Sequence, residues 1–134
     1  MTIHVRLRVA GEAYAVPVQS VLEVVRPGPV TPVPGSAAEL LGVLNLRGHV
    51  LAVADLARIL GLRAAVPPAR MLIAESGDLR AGFAIDDVSE VGELGEPTEP
   101  AESALLAGAT LAGGDLIGII DLDLVLRRLA GARP

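Results

Sequence analysis

Two segments of this 134-residue chain repeat at almost the same spacing, and any fold it adopts must accommodate that repetition. Val16-Pro17-Val18-Gln19-Ser20-Val21-Leu22-Glu23-Val24 recurs as Phe83-Ala84-Ile85-Asp86-Asp87-Val88-Ser89-Glu90-Val91, an offset of 67. Gly48 through Asp55-Leu56 to Leu60 recurs from Gly114 through Asp121-Leu122 to Leu126, an offset of 66. Near-equal offsets in two separate matches imply a duplicated unit. One motif is kept in the first copy only. Gly42-Val43-Leu44-Asn45-Leu46-Arg47-Gly48 corresponds to Gly108-Ala109-Thr110-Leu111-Ala112-Gly113-Gly114, which retains the outer glycines and loses Asn45 and Arg47. A polar pair present in one copy is where an asymmetric function belongs.

The length suits one compact domain. Tyr14 and Phe83 are the only aromatic residues, so the core is aliphatic. A net charge of −5 argues against nucleic acid as the main partner, because phosphate binding needs a cationic face. The chain has no cysteine, hence no disulfide and no thiolate metal site. No apolar run approaches the roughly 20 residues that span a bilayer, and Met1 to Gly11 alternates with charge, unlike a signal peptide. These features suggest a cytoplasmic, soluble protein with no direct membrane insertion.

Ile3, Val5, Leu7 and Val9 alternate with His4, Arg6 and Arg8, as in a half-buried strand with the charges outward. Tyr14, Val16 and Val18 form one face of a second strand, and Pro17 within it suggests a sheet edge or a bulge. Val21 to Val25 reads as a third strand entered through a turn at Gln19-Ser20. Pro27, Pro29, Pro32 and Pro34 then exclude helix or strand interior, leaving an extended surface loop. Arg47-Gly48 is a tight hairpin turn between Val43 to Leu46 and His49 to Ala54. Asp55 caps a short helix from Leu56 to Leu60 that Gly61 ends, and residues 63 to 69 join the halves. Met71 to Ala74, Arg80 to Ile85, Val88 to Val91 and Leu116 to Ile120 are further strands. Glu93 to Glu102 is an acidic loop, expected to be solvated. Asp121 or Asp123 caps a closing helix through Leu129. Many short strands with frequent turns indicate paired small β-barrels or a sandwich, with helices as plugs.

Catalytic chemistry finds little support. Asp86-Asp87 and Asp121 with Asp123 are the only close carboxylate pairs, and turn or helix-cap roles explain all four. His4 and His49 read as surface or turn residues without the three or four ligands a zinc site takes. The serines lie in no nucleophile pattern, and Gly113-Gly114 and Gly11 are hairpin glycines. Glu23 and Arg47 stand apart as charges embedded in apolar, strand-like runs. They either face water or pair on the edge of a groove that receives a partner.

From Leu40 through Gly42-Val43-Leu44-Asn45-Leu46-Arg47-Gly48 to Asp55-Leu56 the chain resembles the CheW family of chemotaxis coupling proteins. Gly11 to Val18, Val21 to Val24, Ala84 to Val91 and Leu116 to Leu122 extend the resemblance over nearly the whole chain. It implies a mainly β fold of two intertwined five-stranded SH3-like β-barrels with short helices. One CheW-like domain over 1–134 would hold subdomains at roughly 10–65 and 66–126, with terminal segments completing the barrels. It also implies a non-catalytic adaptor, without cofactor or metal, that bridges a methyl-accepting chemoreceptor tip to the regulatory domain of a histidine kinase. By the same resemblance the receptor groove is built from Val21, Glu23, Val24, Asn45 and Arg47, with Val88 and Val91 from the second copy. The alternative is a divergent double-barrel scaffold that has lost one partner or fills receptor arrays. Glu23 and Arg47 are expected to meet beside Val21 and Val24.

Overall fold

The computed structural model describes residues 2–63, 67–101 and 103–131. Its elements run β1 (Thr2–Val9), β2 (Glu12–Pro17), a 3-10 turn (Val18–Ser20), β3 (Val21–Val25), β4 (Leu40–Leu46), β5 (His49–Asp55) and α1 (Leu56–Ile59). The second series is β6 (Arg70–Ser76), β7 (Leu79–Ile85), β8 (Asp87–Leu94), β9 (Leu106–Ala112), β10 (Asp115–Ile120) and α2 (Leu122–Gly131). The centre of the expected join between halves, and Glu102 of the acidic loop, lie outside the described residues.

The strands form two five-stranded sheets, ordered β3-β6-β7-β5-β4 (sheet 1) and β8-β1-β2-β10-β9 (sheet 2). Replacing each strand of the first series by its counterpart in the second, and the reverse, turns one order into the other. The duplication therefore survives in the fold as an internal two-fold relation. Neither sheet comes from one half alone: β6 and β7 lie with β3, β4 and β5, while β1 and β2 lie with β8, β9 and β10. The irregularities match too. Register slips by one residue at Leu22 in β3 and at Ser89 in β8, and again at Leu41 in β4 and Ala107 in β9. These β-bulges sit at the same two places in each copy.

The glycines retained in both copies have a steric reason. Gly42 has φ +149° and Gly108 φ +144°, and a Cβ on Gly42 would lie 2.2 Å from the Thr31 carbonyl oxygen. The Thr31 backbone pairs with Val43, just as Glu99 pairs with Ala109, so a loop strand presses on each bulge. The proline-rich loop is thereby anchored at its middle. Part of the expected acidic loop is also ordered: Glu93 and Leu94 end β8, with Leu94 buried.

The main core lies between the sheets. Val5, Leu7 and Val16 from sheet 2 meet Leu72, Phe83 and Ile85 from sheet 1. Leu56 and Ala57 of α1 and Leu122, Val125, Leu126 and Leu129 of α2 plug the same core. Asp55 caps α1 by accepting from Arg58 N–H, and Asp121, not Asp123, caps α2 by accepting from Leu124 N–H at 3.1 Å. Each sheet also encloses a smaller cluster on its other face. Leu44, Leu51, Val53, Met71 and Ile73 fill that of sheet 1, and Ala15, Leu94, Ile117 and Ile119 that of sheet 2.

That second cluster corrects two expectations. His4 is buried, 7% exposed, with Nδ1 3.0 Å from the Thr2 carbonyl oxygen, and is not a surface residue. Cross-strand partners share a face, and Thr2 pairs with Leu94 and Arg6 with Ala15, so the polar side of β1 lines the smaller core of sheet 2. Pro17 marks neither an edge nor a bulge. β2 lies inside sheet 2, and Pro17 is its last residue, beyond the short parallel ladder of Tyr14–Gly118 and Ala15–Ile119.

The steric role of Gly42 predicts that Gly42→Ala loses about 3 kcal/mol or more of stability, from strain plus overpacking. Gly113→Ala, at φ +59° with open space around it, should lose only about 1–2 kcal/mol. Urea unfolding of the two variants checks the contrast.

Candidate functional site

β3 is an edge strand, and the bulge at Leu22 decides which of its residues share a face. Val21 lies opposite Ala74 and Val24 opposite Leu72, both partners belonging to the core between the sheets. Glu23 lies opposite Ile73 and Val25 opposite Met71, both in the smaller cluster of sheet 1. Opposite residues point the same way, so Val21 and Val24 face the inter-sheet side and Glu23 the other. The second copy repeats this: Val88 and Val91 lie opposite Leu7 and Val5 of the main core. Val21 and Val88 are half-buried, whereas Val24 and Val91 remain exposed at the sheet edges.

Arg47 occupies the β4–β5 turn with φ +51°, followed by Gly48 at φ +84°. Both values fit a type I′ hairpin turn, a left-handed conformation that glycine adopts more easily than arginine. Asn45 stitches the turn, its Oδ1 accepting from Gly48 N–H at 2.9 Å. Arg47 reaches Glu23 through a two-pronged contact, Nη1 to Oε2 at 2.7 Å and Nη2 to Oε1 at 2.6 Å. Because β3 and β4 are opposite edges of sheet 1, this contact means that the sheet curls until its edges meet. The pair sits over the mouth of the Leu44–Met71 cluster, with the Glu23 side chain 33% and the Arg47 side chain 65% exposed. The two side chains approach as expected, but across β3 from Val21 and Val24 and not beside them. The bulge is the reason.

Hydrogen bonds from Arg47 hold the Glu23 carboxyl below its ordinary range against the opposing effect of desolvation, and the Arg47 charge adds to them. Arg47 is held above its usual range by the same hydrogen bonds and by the Glu23 charge. A guanidinium carries five N–H donors and the two hydrogen bonds to Glu23 take two of them, so the exposed Arg47 side chain can still bind an acceptor on a partner.

Sheet 2 solves the same problem differently. Gly113 and Gly114 keep the turn, with φ +59° and +85°, but offer no cation to Glu90. Glu90 is paired instead with Arg6 of the neighbouring strand. Arg6 corresponds to the buried Ile73 of sheet 1, so the two copies have exchanged the source of the charge. The sequence reading missed Arg6. Its signal was a cation at the strand position opposite an acid, but only the register shows which acid. Arg6 Nε is buried without a partner.

The carboxylate pairs have structural duties. Asp86 accepts from Ala10 N–H at 3.1 Å and Gly11 N–H at 2.8 Å, fastening the β1–β2 turn to the second half. Asp87 accepts from Val88 N–H, and Asp123 pairs with Arg127 and accepts from the Ser76 hydroxyl. Among the described residues, no group of three or more His, Asp or Glu could hold a metal ion.

The shifted Glu23 predicts a pH dependence. A carboxyl with a lowered folded pKa contributes stability above its ordinary value, and that contribution is lost as pH falls through the folded value. The small difference in melting temperature between the chain and its Glu23→Gln variant should therefore be present at about pH 7 and shrink as the pH falls below the ordinary carboxyl range. Thermal unfolding across that range checks it.

Comparison with known proteins agrees with this architecture. The CheW-like domain profile matches residues 4–130. The chemotaxis protein CheW of Thermotoga maritima is 34% identical over 125 residues, covering 88% of this chain and 83% of that protein. The probable chemotaxis protein CheW of Rhizobium etli is 38% identical over 88 residues, covering 64% of this chain. That match spans little more than half of the Rhizobium protein, 57% of its length. The crystal structure of the scaffolding protein TtCheW from Thermoanaerobacter tengcongensis superposes with a TM-score of 0.82 at 28% identity, covering 90% of this chain and 84% of that one. Sequence and fold agree over the same span, and the chain belongs to the CheW-like family.

Proposed function

We propose that this chain is a non-catalytic signalling adaptor, coupling the cytoplasmic tip of a methyl-accepting chemoreceptor to the regulatory domain of a histidine kinase. The family match across residues 4–130 carries this reading. The asymmetry between the copies supports a site on the first one. In sheet 1 an edge strand displays valines on one side and an ion pair on the other, and only there does the hairpin supply a cation. A receptor helix lying along β3 would meet Val21 and Val24 as apolar anchors, with Glu23, Arg47 and Asn45 as a polar rim that sets its register. Val88 and Val91 face the same inter-sheet side from β8 and would line the groove from the second copy. The protein would act in the cytoplasm, recruited to receptor arrays. No helix among the described residues is long and apolar enough to cross a membrane.

The test is a paired measurement on Arg47→Ala. Exposed ion pairs add little to stability, so the melting temperature should be nearly unchanged. Affinity for a chemoreceptor-tip fragment should fall at least about tenfold. Marked unfolding with intact binding would make Arg47 a fastening of the hairpin and remove it from the receptor site.

A further inference from the structure

The two copies fill their smaller cores differently. In sheet 1 the positions facing that core carry Val25, Leu44, Leu46, Met71 and Ile73. Their counterparts in sheet 2, at the repeat offsets, are Gly92, Thr110, Ala112, His4 and Arg6. Three of these are polar and two are small. The first core is tight, for a Cβ on Gly82 would lie 2.7 Å from the Met71 sulfur. The second has room, since a Cβ on Gly92 or Gly113 would meet nothing within 4 Å. Clefts of about 310 and 620 Å³ open onto its two ends, the smaller beside Arg6, Ala112 and Ile117 and the larger beside His4, Leu94 and Ile119.

The smaller cleft gathers charges of both signs. It lies at the mouth that Arg47 covers in sheet 1, and the corresponding Gly113 leaves it open. Arg6 and Arg8 stand two residues apart on one face of β1, with Glu90 of β8 to one side and Asp115 of β10 to the other. Arg6 pairs with Glu90, and Arg8 with Asp115 at 3.2 Å. These pairs leave donors to spare. Arg6 Nε–H is buried without an acceptor, and Arg8 makes only long bonds, to Asp115 and to the Gly11 carbonyl oxygen at 3.3 Å. A buried donor without an acceptor destabilises the fold, so a ligand oxygen that reached Arg6 would be favoured. Ala13, Ala112 and Ile117 supply an apolar wall.

We propose that this cleft binds a free α-amino acid with a small apolar side chain. Two cations flanked by two carboxylates complement both ends of a zwitterion. A simple anion would face Glu90 and Asp115, and a simple cation would face Arg6 and Arg8. The ligand carboxylate accepts from the two guanidiniums, its ammonium donates to Glu90 or Asp115, and its side chain lies against Ala112 and Ile117. The site is on the other side of β8 from Val88 and Val91, and it does not depend on the receptor assignment.

The probes are L-alanine and L-valine, with acetate and ethylammonium as the two halves of a zwitterion. Each is titrated into the full chain and followed by arginine Nε–H and methyl NMR. The expected result is saturable shifts at Arg6 Nε–H and at the Ala13, Ala112 and Ile117 methyls with an amino acid. Acetate and ethylammonium should bind at least about tenfold more weakly. Two variants take the residue of the first copy. Arg6→Ile removes a cation and Ala112→Leu fills the cleft, and each should weaken amino-acid binding at least about tenfold while thermal unfolding stays cooperative. Ala112→Leu keeps both ion pairs, so it tests the site even if Arg6→Ile does not fold. No saturable shift with either amino acid would overturn the proposal and leave the Arg6 donor to water. Acetate binding as tightly as the amino acids would make the cleft a site for an adventitious ion only. Undiminished binding in Ala112→Leu would place the ligand elsewhere and also refute it.

Discussion

The apolar core between the two sheets is the constraint on which the rest of the structure depends. Phe83, Leu72 and Ile85 from one sheet, Leu7 and Val16 from the other, and the buried sides of both helices share it. A unit of about 65 residues buries too small a fraction of its surface to be comfortably stable alone. Here neither copy is asked to be. Each sheet borrows two strands from the other half, so disrupting one sheet exposes the core face of both. At about 1.5–3 kcal/mol for each fully buried large aliphatic side chain, this common core dominates over exposed ion pairs. The charges are thereby free to serve recognition.

Against that shared frame the differences between the copies become informative. Backbone features coincide at the bulges and in the dihedrals of the β4–β5 and β9–β10 turns, yet the side chains at the curled edges have diverged. Sheet 1 uses Arg47 from its hairpin against Glu23, above a buried Ile73. Sheet 2 uses Arg6 from the adjacent strand against Glu90 and leaves Gly113 bare. Either arrangement neutralises the acid. Only the first joins opposite edges of one sheet and displays a guanidinium on its rim. Arginine in a left-handed turn position, where the other copy has glycine, is a local cost that the Glu23 contact and a partner would offset.

Much of this was legible in the sequence because it rests on local rules. The duplication, the Arg47-Gly48 turn, the cap at Asp55 and a cap at Asp121 or Asp123 follow from short spacings or from the repeat. The approach of Glu23 to Arg47, by contrast, was to be expected only through the family resemblance. What was not legible depends on long-range pairing. Alternation along β1 shows two faces without showing that both are enclosed, which is why His4 reads as exposed and is buried. A single bulge at Leu22 reverses the facing of the residues after it and separates Val21 and Val24 from Glu23. The pairing of β6 and β7 with β3, β4 and β5 is set by the burial of the whole core. No window of the sequence carries it.

The adaptor account is tested most directly by titrating a chemoreceptor-tip fragment into the full chain and following valine and leucine methyl signals. It predicts the largest shifts at Val21, Val24, Val88 and Val91, with Leu111 and Leu116 nearly still. Unchanged valines would contradict it, whether the leucines of sheet 2 move or no methyl responds.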